Sequence, residues 1–224
     1  MIDYTQMNQL LSGGVHVHAD PLVHIYNDYL SAEECDHIVE LAKPRLERSA
    51  VASEGQRKIS DVRTNDCTFL AHACDPIVND VVRRIAALIQ IPLTHAEDLQ
   101  VVYYREGQEY KPHQDAFDPD NSNYKPILKK AGQRVVTVLM YLNDVQNGGG
   151  TGFPHLDLEI KARRGRIVIF QTCKSASIEP HPLSLHGGLP VGKENDKWAA
   201  NLWFRERAFQ QNWIATHKYS RVFN

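Results

Sequence analysis

The residues with the clearest potential for chemistry are two histidines and an aspartate. His113 and Asp115 are separated by one residue, and His186 follows much later in the chain. In an extended strand, residues i and i+2 point to the same face, about 6–7 Å apart, so the first two can bind one side of a metal ion. A histidine from a neighbouring strand would complete a set of two imidazoles and one carboxylate, which leaves coordination positions open and is typical of non-haem Fe(II) oxygenases. The pattern predicts a chain that binds iron and activates dioxygen.

Length and composition predict one domain of mixed or mainly β architecture, since 42% of the 224 residues are hydrophobic. Residues 1–21 read as a flexible lead-in, and residues 22–224 as the single domain. The net charge of -2 gives no electrostatic case for nucleic acid. The sequence has neither a charged-then-apolar leader nor a long apolar run, so we expect a cytoplasmic protein without a membrane span. The oligomeric state stays open.

Two helices are predicted before the strands begin. Ser31 and Glu34 form a capping box that opens a helix through about Leu46. Asp75-Pro76 opens a second helix, whose apolar residues recur at helical spacing until about Ile91. We expect both helices to pack against a sheet.

Short strands separated by Gly and Asn follow the second helix. The candidate strands are residues 99–105, 110–115, 134–142, 151–154, 158–162, 166–170, 183–186 and 199–207. This order predicts a mainly β fold with flanking helices, in which an antiparallel double-sheet roll has the N-terminal helices packed on one sheet. Residues 117–132 are too polar for a core and predict a mobile loop, placed to fold over a bound substrate.

Several strings of residues are together more specific than the His-x-Asp pattern alone. They are YYREGQEYKPHQD, QRVVTVLMYLNDV, GGGTGFP and, near the end of the chain, LHGGLPV and KWAANLWFRE. In these strings the chain resembles the prolyl 4-hydroxylases, in the 2-oxoglutarate- and Fe(II)-dependent dioxygenase superfamily, from about residue 23 to residue 207. The resemblance implies a double-stranded β-helix (jelly-roll) core with His113, Asp115 and His186 as the Fe(II) ligands. It also implies 2-oxoglutarate and O2 as cosubstrates and ascorbate as an accessory reductant.

One further histidine competes for the third ligand position. His181 is flanked by Pro180 and Pro182, which disfavour regular strand pairing. His186 begins a string that resembles the family, so His186 is the predicted ligand.

The resemblance also implies which residues bind the distal carboxylate of 2-oxoglutarate. Lys197 directly precedes Trp198, as the family's carboxylate-binding lysine precedes its tryptophan, but it lies one position further from the second histidine than is usual. Lys193, in the intervening turn, is the alternative. Tyr104 and Thr151 match a tyrosine and a threonine that bond to the same carboxylate, and hydrogen bonds to a charged group are stronger than neutral ones.

Three residues match positions that contact the peptide substrate in the family: Tyr110, Arg134 and Trp203. An aromatic groove suits a proline-rich peptide, which is already extended in polyproline II form. Arg134 has a structural alternative as the partner of an ion pair. The segment Arg63-Thr64-Asn65 resembles the family's Arg-Thr-Ser segment imperfectly, so its role in substrate binding stays open.

The implied function is hydroxylation of C4 of proline in a peptide or protein, with release of succinate and CO2. The alternative is a 2-oxoglutarate oxygenase of the same fold that acts on a non-proline substrate. A zinc hydrolase on the same ligands would need a general base, and the sequence has no HExxH-like arrangement. A binding module that has lost its metal is disfavoured because all three candidate ligands are present.

Overall fold

Two antiparallel sheets form the body of the protein. The computed structural model describes residues 7, 9, 11–49, 51–53, 56–58 and 61–209. In chain order the strands are β1 (Val15–Ala19), β2 (Leu22–Tyr26), β3 (Glu47–Arg48), β4 (Val51–Ser53), β5 (Gln56–Lys58), β6 (Asp66–Leu70), β7 (Leu99–Tyr104), β8 (Tyr110–His113), β9 (Arg134–Tyr141), β10 (Thr151–Phe153), β11 (Leu158–Ile160), β12 (Ile167–Gln171), β13 (His186–Gly188) and β14 (Lys197–Arg205). The helices are α1 (Ala32–Ala42), α2 (Pro76–Ile89) and α3 (Lys125–Ala131).

The larger sheet has eight strands in the order β1-β2-β12-β9-β14-β7-β6-β3, and the smaller has four in the order β11-β10-β13-β8. A separate hairpin pairs β4 with β5. Buried side chains of both sheets share one core cluster, which includes Phe153 and Ile160 of the smaller sheet and Leu139 and Phe170 of the larger. The predicted mainly β fold, with a jelly-roll core and flanking helices, is confirmed.

Local capping explains where the two N-terminal helices begin and end. The Ser31 hydroxyl accepts a hydrogen bond from the backbone N–H of Glu34, whose carboxylate accepts one from the backbone N–H of Ser31. α1 ends at Ala42, earlier than predicted, because Pro44 follows and the chain tightens into a 3-10 turn. Asp75 caps α2 as predicted. Both helices bury their apolar faces in one cluster with the larger sheet.

The alternation of β14 separates the helix-packed core from the interior of the roll. Its even-numbered residues belong to the cluster beneath the helices: Trp198, Ala200, Leu202 and Phe204. Its odd-numbered residues line a cavity of about 570 Å³ between the sheets: Lys197, Ala199, Asn201, Trp203 and Arg205. Successive side chains of a strand point to opposite faces, so one strand serves both packing and the cavity.

The structure differs from the sequence prediction at the beginning of the chain. Residues 1–21 were predicted as a flexible lead-in, but Val15–Ala19 forms β1 at the edge of the larger sheet and pairs with β2. Val15 and Val17 alternate with histidines, a strand pattern that the flanking glycines and polar residues obscured. The rest of the lead-in is described only at residues 7, 9, 11–14, 20 and 21.

The predicted mobile loop at residues 117–132 also contains regular structure. It holds a 3-10 turn, Ser122–Tyr124, and the short helix α3. The Arg205 guanidinium donates to the carbonyl oxygens of Ile127 and Gly132 and holds this polar segment from another part of the fold. Local sequence could not reveal this contact, because Arg205 lies far along the chain.

The strand predicted at residues 183–186 is mostly a turn. Residues Pro182–Ser184 form a 3-10 turn, and β13 begins only at His186. The His181 side chain accepts a hydrogen bond from the backbone N–H of Leu183, which stabilises the turn. Among the residues that the structure describes, no helix combines the length and apolar character needed to span a bilayer.

Candidate active site

Two histidines from neighbouring strands face the same point in the cavity. His113 ends β8, His186 begins β13, and the two are direct partners in the antiparallel register. Asp115 follows His113 by two positions, and one potential ligand atom of each residue lies within 4.8 Å of the others. In the described part of the chain, this is the one such group of three or more His, Cys, Asp or Glu side chains. The structure therefore gathers the three predicted metal ligands.

Backbone carbonyls orient both imidazoles. The Nδ1 atom of His113 lies 2.9 Å from the carbonyl oxygen of Lys111, and that of His186 lies 3.0 Å from the carbonyl oxygen of Ser184. A carbonyl only accepts, so each Nδ1 carries the proton and each Nε2 keeps its lone pair. These Nε2 atoms lie 3.6 and 3.5 Å from the carboxylate oxygens of Asp115. Lone pairs and a carboxylate that converge in this way repel one another, and a cation between them removes the repulsion.

Burial and neighbouring groups give His186 and Asp115 the protonation states that metal binding needs. Burial lowers the pKa of His186 to about 4, so its imidazole is neutral near pH 7. Burial also opposes ionisation of Asp115, but the positive charge that His186 and His113 carry when protonated outweighs it and holds the pKa of that carboxyl below its usual range. The Thr137 hydroxyl donates a 2.7 Å hydrogen bond to Oδ2 of Asp115 and so fixes the carboxylate.

Aromatic rings restrict the movement of the two imidazoles. The ring of Tyr110 stacks on that of His113, with 3.6 Å between centroids. The ring of Phe170 meets that of His186 edge-on, with 4.6 Å between centroids. Side chains locked by such packing hold a preorganised geometry.

The same cavity contains a buried cation, Lys197. The Lys197 side chain is 3% exposed, and among the described residues no carboxylate lies within ion-pair distance of its ammonium group. Its hydrogen bond to the carbonyl oxygen of Gly150 is long at 3.5 Å. Burial lowers the pKa of Lys197 to about 7. A buried ammonium group in this state favours an anionic ligand.

Two residues with hydroxyl groups, Tyr104 and Thr151, line the cavity together with Lys197. Its Nζ atom lies 5.1 Å from the ring centroid of Tyr104, its cross-strand partner on β7. Burial raises the pKa of Tyr104 to about 12, so the hydroxyl stays protonated. A Cβ atom built on Gly188 would lie 3.5 Å from the Tyr104 hydroxyl and 3.7 Å from Nζ, so glycine leaves this space open. Thr151 lies opposite Gly188 in the strand register and also lines the cavity.

Tyr141 fixes the hydroxyl of Thr151. The Tyr141 hydroxyl donates to Oγ1 of Thr151 at 2.7 Å, which leaves the Thr151 hydrogen free for a ligand, and it lies 3.0 Å from the carbonyl oxygen of Ile160. A lysine with nearby hydroxyl donors suits one end of a dicarboxylate, and the two-histidine, one-carboxylate set suits a divalent metal. The residues present therefore fit both Fe(II) and 2-oxoglutarate.

The three predicted substrate residues line the same cavity: Tyr110, Arg134 and Trp203. Trp203 is 5% exposed, and its indole Nε1 is buried with no hydrogen-bond acceptor among the residues that the structure describes. The Arg134 guanidinium carbon lies 3.7 Å from the centroid of the Trp203 ring. Buried indole N–H groups normally find an acceptor, so this donor is available to a ligand.

Arg134 also forms an ion pair, the structural role given above as the alternative to substrate binding. Its Nε and Nη2 atoms each donate to the Glu97 carboxylate at 2.8 Å. Arg205 donates to the same carboxylate at 3.0 Å. Burial opposes ionisation of Glu97, but the charge of Arg134 outweighs it and lowers the pKa of Glu97. Arg134 is therefore held rigidly at the cavity wall.

The competing candidates lie elsewhere. His181 is outside the ligand group, and its Nε2 lies 3.4 Å from Oδ1 of Asp20. Lys193, the alternative to Lys197, is exposed in the turn before β14. Arg63, whose role in substrate binding was left open, is buried and does line the cavity.

Sequence reasoning gave no role to several residues that shape the site: Thr137, Tyr141, Glu97, Gln100, Asn201 and Arg205. Strand alternation carried a usable signal for most of them. Polar residues at alternate positions of otherwise apolar strands must point into the roll rather than toward the helices.

Comparisons with known proteins agree on a family. Residues 99–205 match the sequence model of the 2OG-Fe(II) oxygenase superfamily. Prolyl 4-hydroxylase 2 of Arabidopsis thaliana is 35% identical over 224 aligned residues, which cover 90% of this chain and 72% of that protein. Probable prolyl 4-hydroxylase 3 of the same plant is 38% identical, over 82% of this chain and 69% of the relative.

Solved structures include close folds. The viral collagen prolyl hydroxylase from Paramecium bursaria Chlorella virus-1, in its complex with 2OG, has a TM-score of 0.65 and 26% identity. The match covers 82% of this chain and 95% of the viral chain.

Proposed function

The chain belongs to the prolyl 4-hydroxylases of the 2OG-Fe(II) oxygenase superfamily, and from this membership we propose that it hydroxylates C4 of proline in a peptide or protein. The reaction consumes O2 and 2-oxoglutarate and releases succinate and CO2. Ascorbate serves as the accessory reductant. The observation that carries the proposal is one cavity that contains both a metal-ligand triad and a buried lysine that has no acidic partner in the described part of the chain.

In this proposal, His113 and His186 bind Fe(II) through Nε2, and Asp115 binds it through its carboxylate. When bound, Fe(II) and 2-oxoglutarate supply the oxidising chemistry, in which loss of CO2 from the keto acid is coupled to insertion of oxygen into a C–H bond. Thr137 and the carbonyls that accept from the histidines keep the ligands in place.

Lys197 binds the distal carboxylate of 2-oxoglutarate in the floor of the cavity. Tyr104 and Thr151 donate hydrogen bonds to the same carboxylate. The ammonium group then gains the charged partner that it lacks among the described residues, which offsets the cost of its burial.

Tyr110 and Trp203 form the aromatic walls for the target proline. The buried indole N–H of Trp203 donates to a carbonyl oxygen of the peptide backbone. The peptide thus supplies the acceptor that this N–H lacks in the described structure. An extended proline-containing segment suits such walls because it loses little conformational entropy on docking.

Mass spectrometry of proline-containing peptides tests the function directly. Peptides incubated with the protein, Fe(II), 2-oxoglutarate and ascorbate should gain the mass of one oxygen atom on proline. Succinate formation without oxygen on proline would instead indicate an oxygenase with a different substrate.

Substitution of one ligand tests the site. His186→Ala should abolish succinate formation and weaken metal binding, measured separately by calorimetry with Co(II). His155→Ala is the matched control, because His155 is exposed and lies outside the cavity. Full turnover by His186→Ala would refute the ligand assignment.

A further inference from the structure

The lining of the cavity carries an excess of positive charge. Five cationic side chains line it: Arg63, Lys130, Arg134, Lys197 and Arg205. Two carboxylates oppose them, Glu97 and Asp115. A divalent metal and the 2-oxoglutarate dianion cancel each other, so the excess persists when both are bound. The chain as a whole is negative, with a net charge of -2, so the excess belongs to the cavity and not to the overall composition.

Both carboxylates are already engaged. Glu97 is shared by Arg134 and Arg205, and Asp115 faces the two histidines. Neither is therefore available to neutralise Arg63. Among the residues described by the structure, no carboxylate lies within ion-pair distance of the Arg63 guanidinium group.

Neutral amides instead hold Arg63 in place. The side chain is 8% exposed. Its Nε donates to the Asn65 side-chain oxygen at 2.9 Å, and its Nη2 donates to that of Gln100 at 3.2 Å. These bonds fix the plane of the guanidinium group but do not compensate its charge. A buried cation bonded only to neutral acceptors is suited to an anion that arrives with a ligand.

The position of Arg63 places such an anion next to the site where the target proline would bind. Its guanidinium carbon lies 4.8 Å from the ring centroid of Tyr110, and the backbones of the two residues form a β-bridge. Tyr110 in turn stacks on His113, a proposed metal ligand. A peptide that presents proline to the metal therefore passes beside Arg63.

We propose that the peptide substrate carries an acidic side chain within two residues of the hydroxylated proline, and that Arg63 binds its carboxylate. This inference rests on the proposed prolyl hydroxylase function and adds a substrate class to it. Guanidinium and carboxylate groups pair through short, directional hydrogen bonds. The amide contacts that preorganise Arg63 reduce the entropy lost when the pair forms.

A peptide scan tests the proposal with the intact protein. Each peptide has one proline in an alanine background and carries Asp, Asn or Lys at one of the two positions before or after it. At one position at least, kcat/KM for hydroxylation should be about tenfold or more higher with Asp than with Asn, and lower still with Lys. That advantage should shrink as ionic strength rises, since salt screens charge pairs.

A variant identifies the group responsible. Arg63→Gln should bring the Asp-to-Asn ratio of kcat/KM close to one, whatever its absolute rate. Arg45→Gln is the control, because Arg45 is an exposed arginine outside the cavity, and it should keep the wild-type ratio. If Arg63→Gln does not fold, the peptide scan on the wild-type protein still decides whether the substrate preference is acidic.

The outcomes separate the inference from the function beneath it. Hydroxylation of all peptides at rates independent of charge would overturn the acidic preference and leave the prolyl hydroxylase function standing. An Asp preference that survives in Arg63→Gln would overturn the role of Arg63. Failure to hydroxylate any peptide, with no succinate formed, would overturn the proposed function itself.

Discussion

Replacement of Lys197 by methionine should stabilise the protein while it disables cosubstrate binding. Burial lowers the pKa of Lys197 from 10.5 to about 7, so the unfolded chain holds this proton more tightly than the folded protein does. The buried Lys197 therefore lowers the free energy of unfolding by about 5 kcal/mol well below pH 7 and by about 4 kcal/mol at pH 7. This loss of stability disappears above about pH 10.5. Methionine fills a similar volume without a charge. Lys197→Met should therefore raise the free energy of unfolding by up to that amount near pH 7.

The same substitution should impair 2-oxoglutarate binding. Removal of one partner from a buried ion pair costs about 3–5 kcal/mol, so the KM for 2-oxoglutarate should rise by roughly two to four orders of magnitude. Urea denaturation without ligands measures the first effect, and succinate formation against 2-oxoglutarate concentration measures the second. Lys193→Met, in the exposed turn, is the control and should change neither.

A less stable Lys197→Met protein with an unchanged KM would refute this reasoning. A raised KM in Lys193→Met alone would transfer the carboxylate contact to that residue. General damage to the fold would lower the free energy of unfolding, so it cannot explain a protein that is more stable and yet has a higher KM for 2-oxoglutarate.

Three further predictions concern protonation and the groups behind the ligands. A bound carboxylate raises the pKa of Lys197, so 2-oxoglutarate binding above pH 7 requires proton uptake by this lysine. The 2-oxoglutarate affinity measured by calorimetry should therefore fall by up to about tenfold per pH unit above pH 7. An affinity that does not change with pH would contradict the contact with a buried ammonium group. Thr137→Val removes the hydrogen bond to Asp115 and should weaken metal binding roughly 10- to 100-fold in chelator competition with little change in stability, whereas unchanged affinity would exclude this positioning role. Glu97→Gln leaves the buried Arg134 without its counter-charge and should lower the free energy of unfolding by about 3–5 kcal/mol. Because the pKa of Glu97 is lowered in the folded protein, the extra stability of the wild type over Glu97→Gln should be full above pH 4.5, the ordinary pKa of a glutamate, and should be lost as the pH falls below it. A stability difference that does not depend on pH would argue against the ion pair.

Sequence alone predicted the parts of the site that depend on spacing along strands. His113 and Asp115 are separated by two positions, and His186 begins a separate glycine-rich string, so their types and order indicated the metal-ligand group that the structure brings together. Lys197 was predicted through resemblance, and its burial without an acidic partner in the described structure supplies a physical reason for that role. The antiparallel double-sheet roll followed from short strands with regular turn signals, and the jelly-roll core was implied by the family resemblance.

The features that the sequence did not reveal depend on contacts between distant parts of the chain. α3 is held by Arg205, which follows it by more than seventy residues. The pairing of Arg134 with Glu97 joins a strand to the segment before β7. Neither contact leaves a local periodicity, because an ion pair between distant residues has no characteristic sequence spacing. The strand at Val15–Ala19 was missed for a different reason, since polar residues at an exposed edge imitate a loop.

Each imidazole of the ligand group receives its orientation from the carbonyl two residues earlier on its own segment, at Lys111 and at Ser184. The tautomer is thus chosen by local chain geometry as soon as the two segments form, without help from a remote side chain. An incoming ion meets donors that need no proton rearrangement before they coordinate. Surrounding residues can then diverge, and with them the choice of substrate, while the coordinating pair keeps its chemistry.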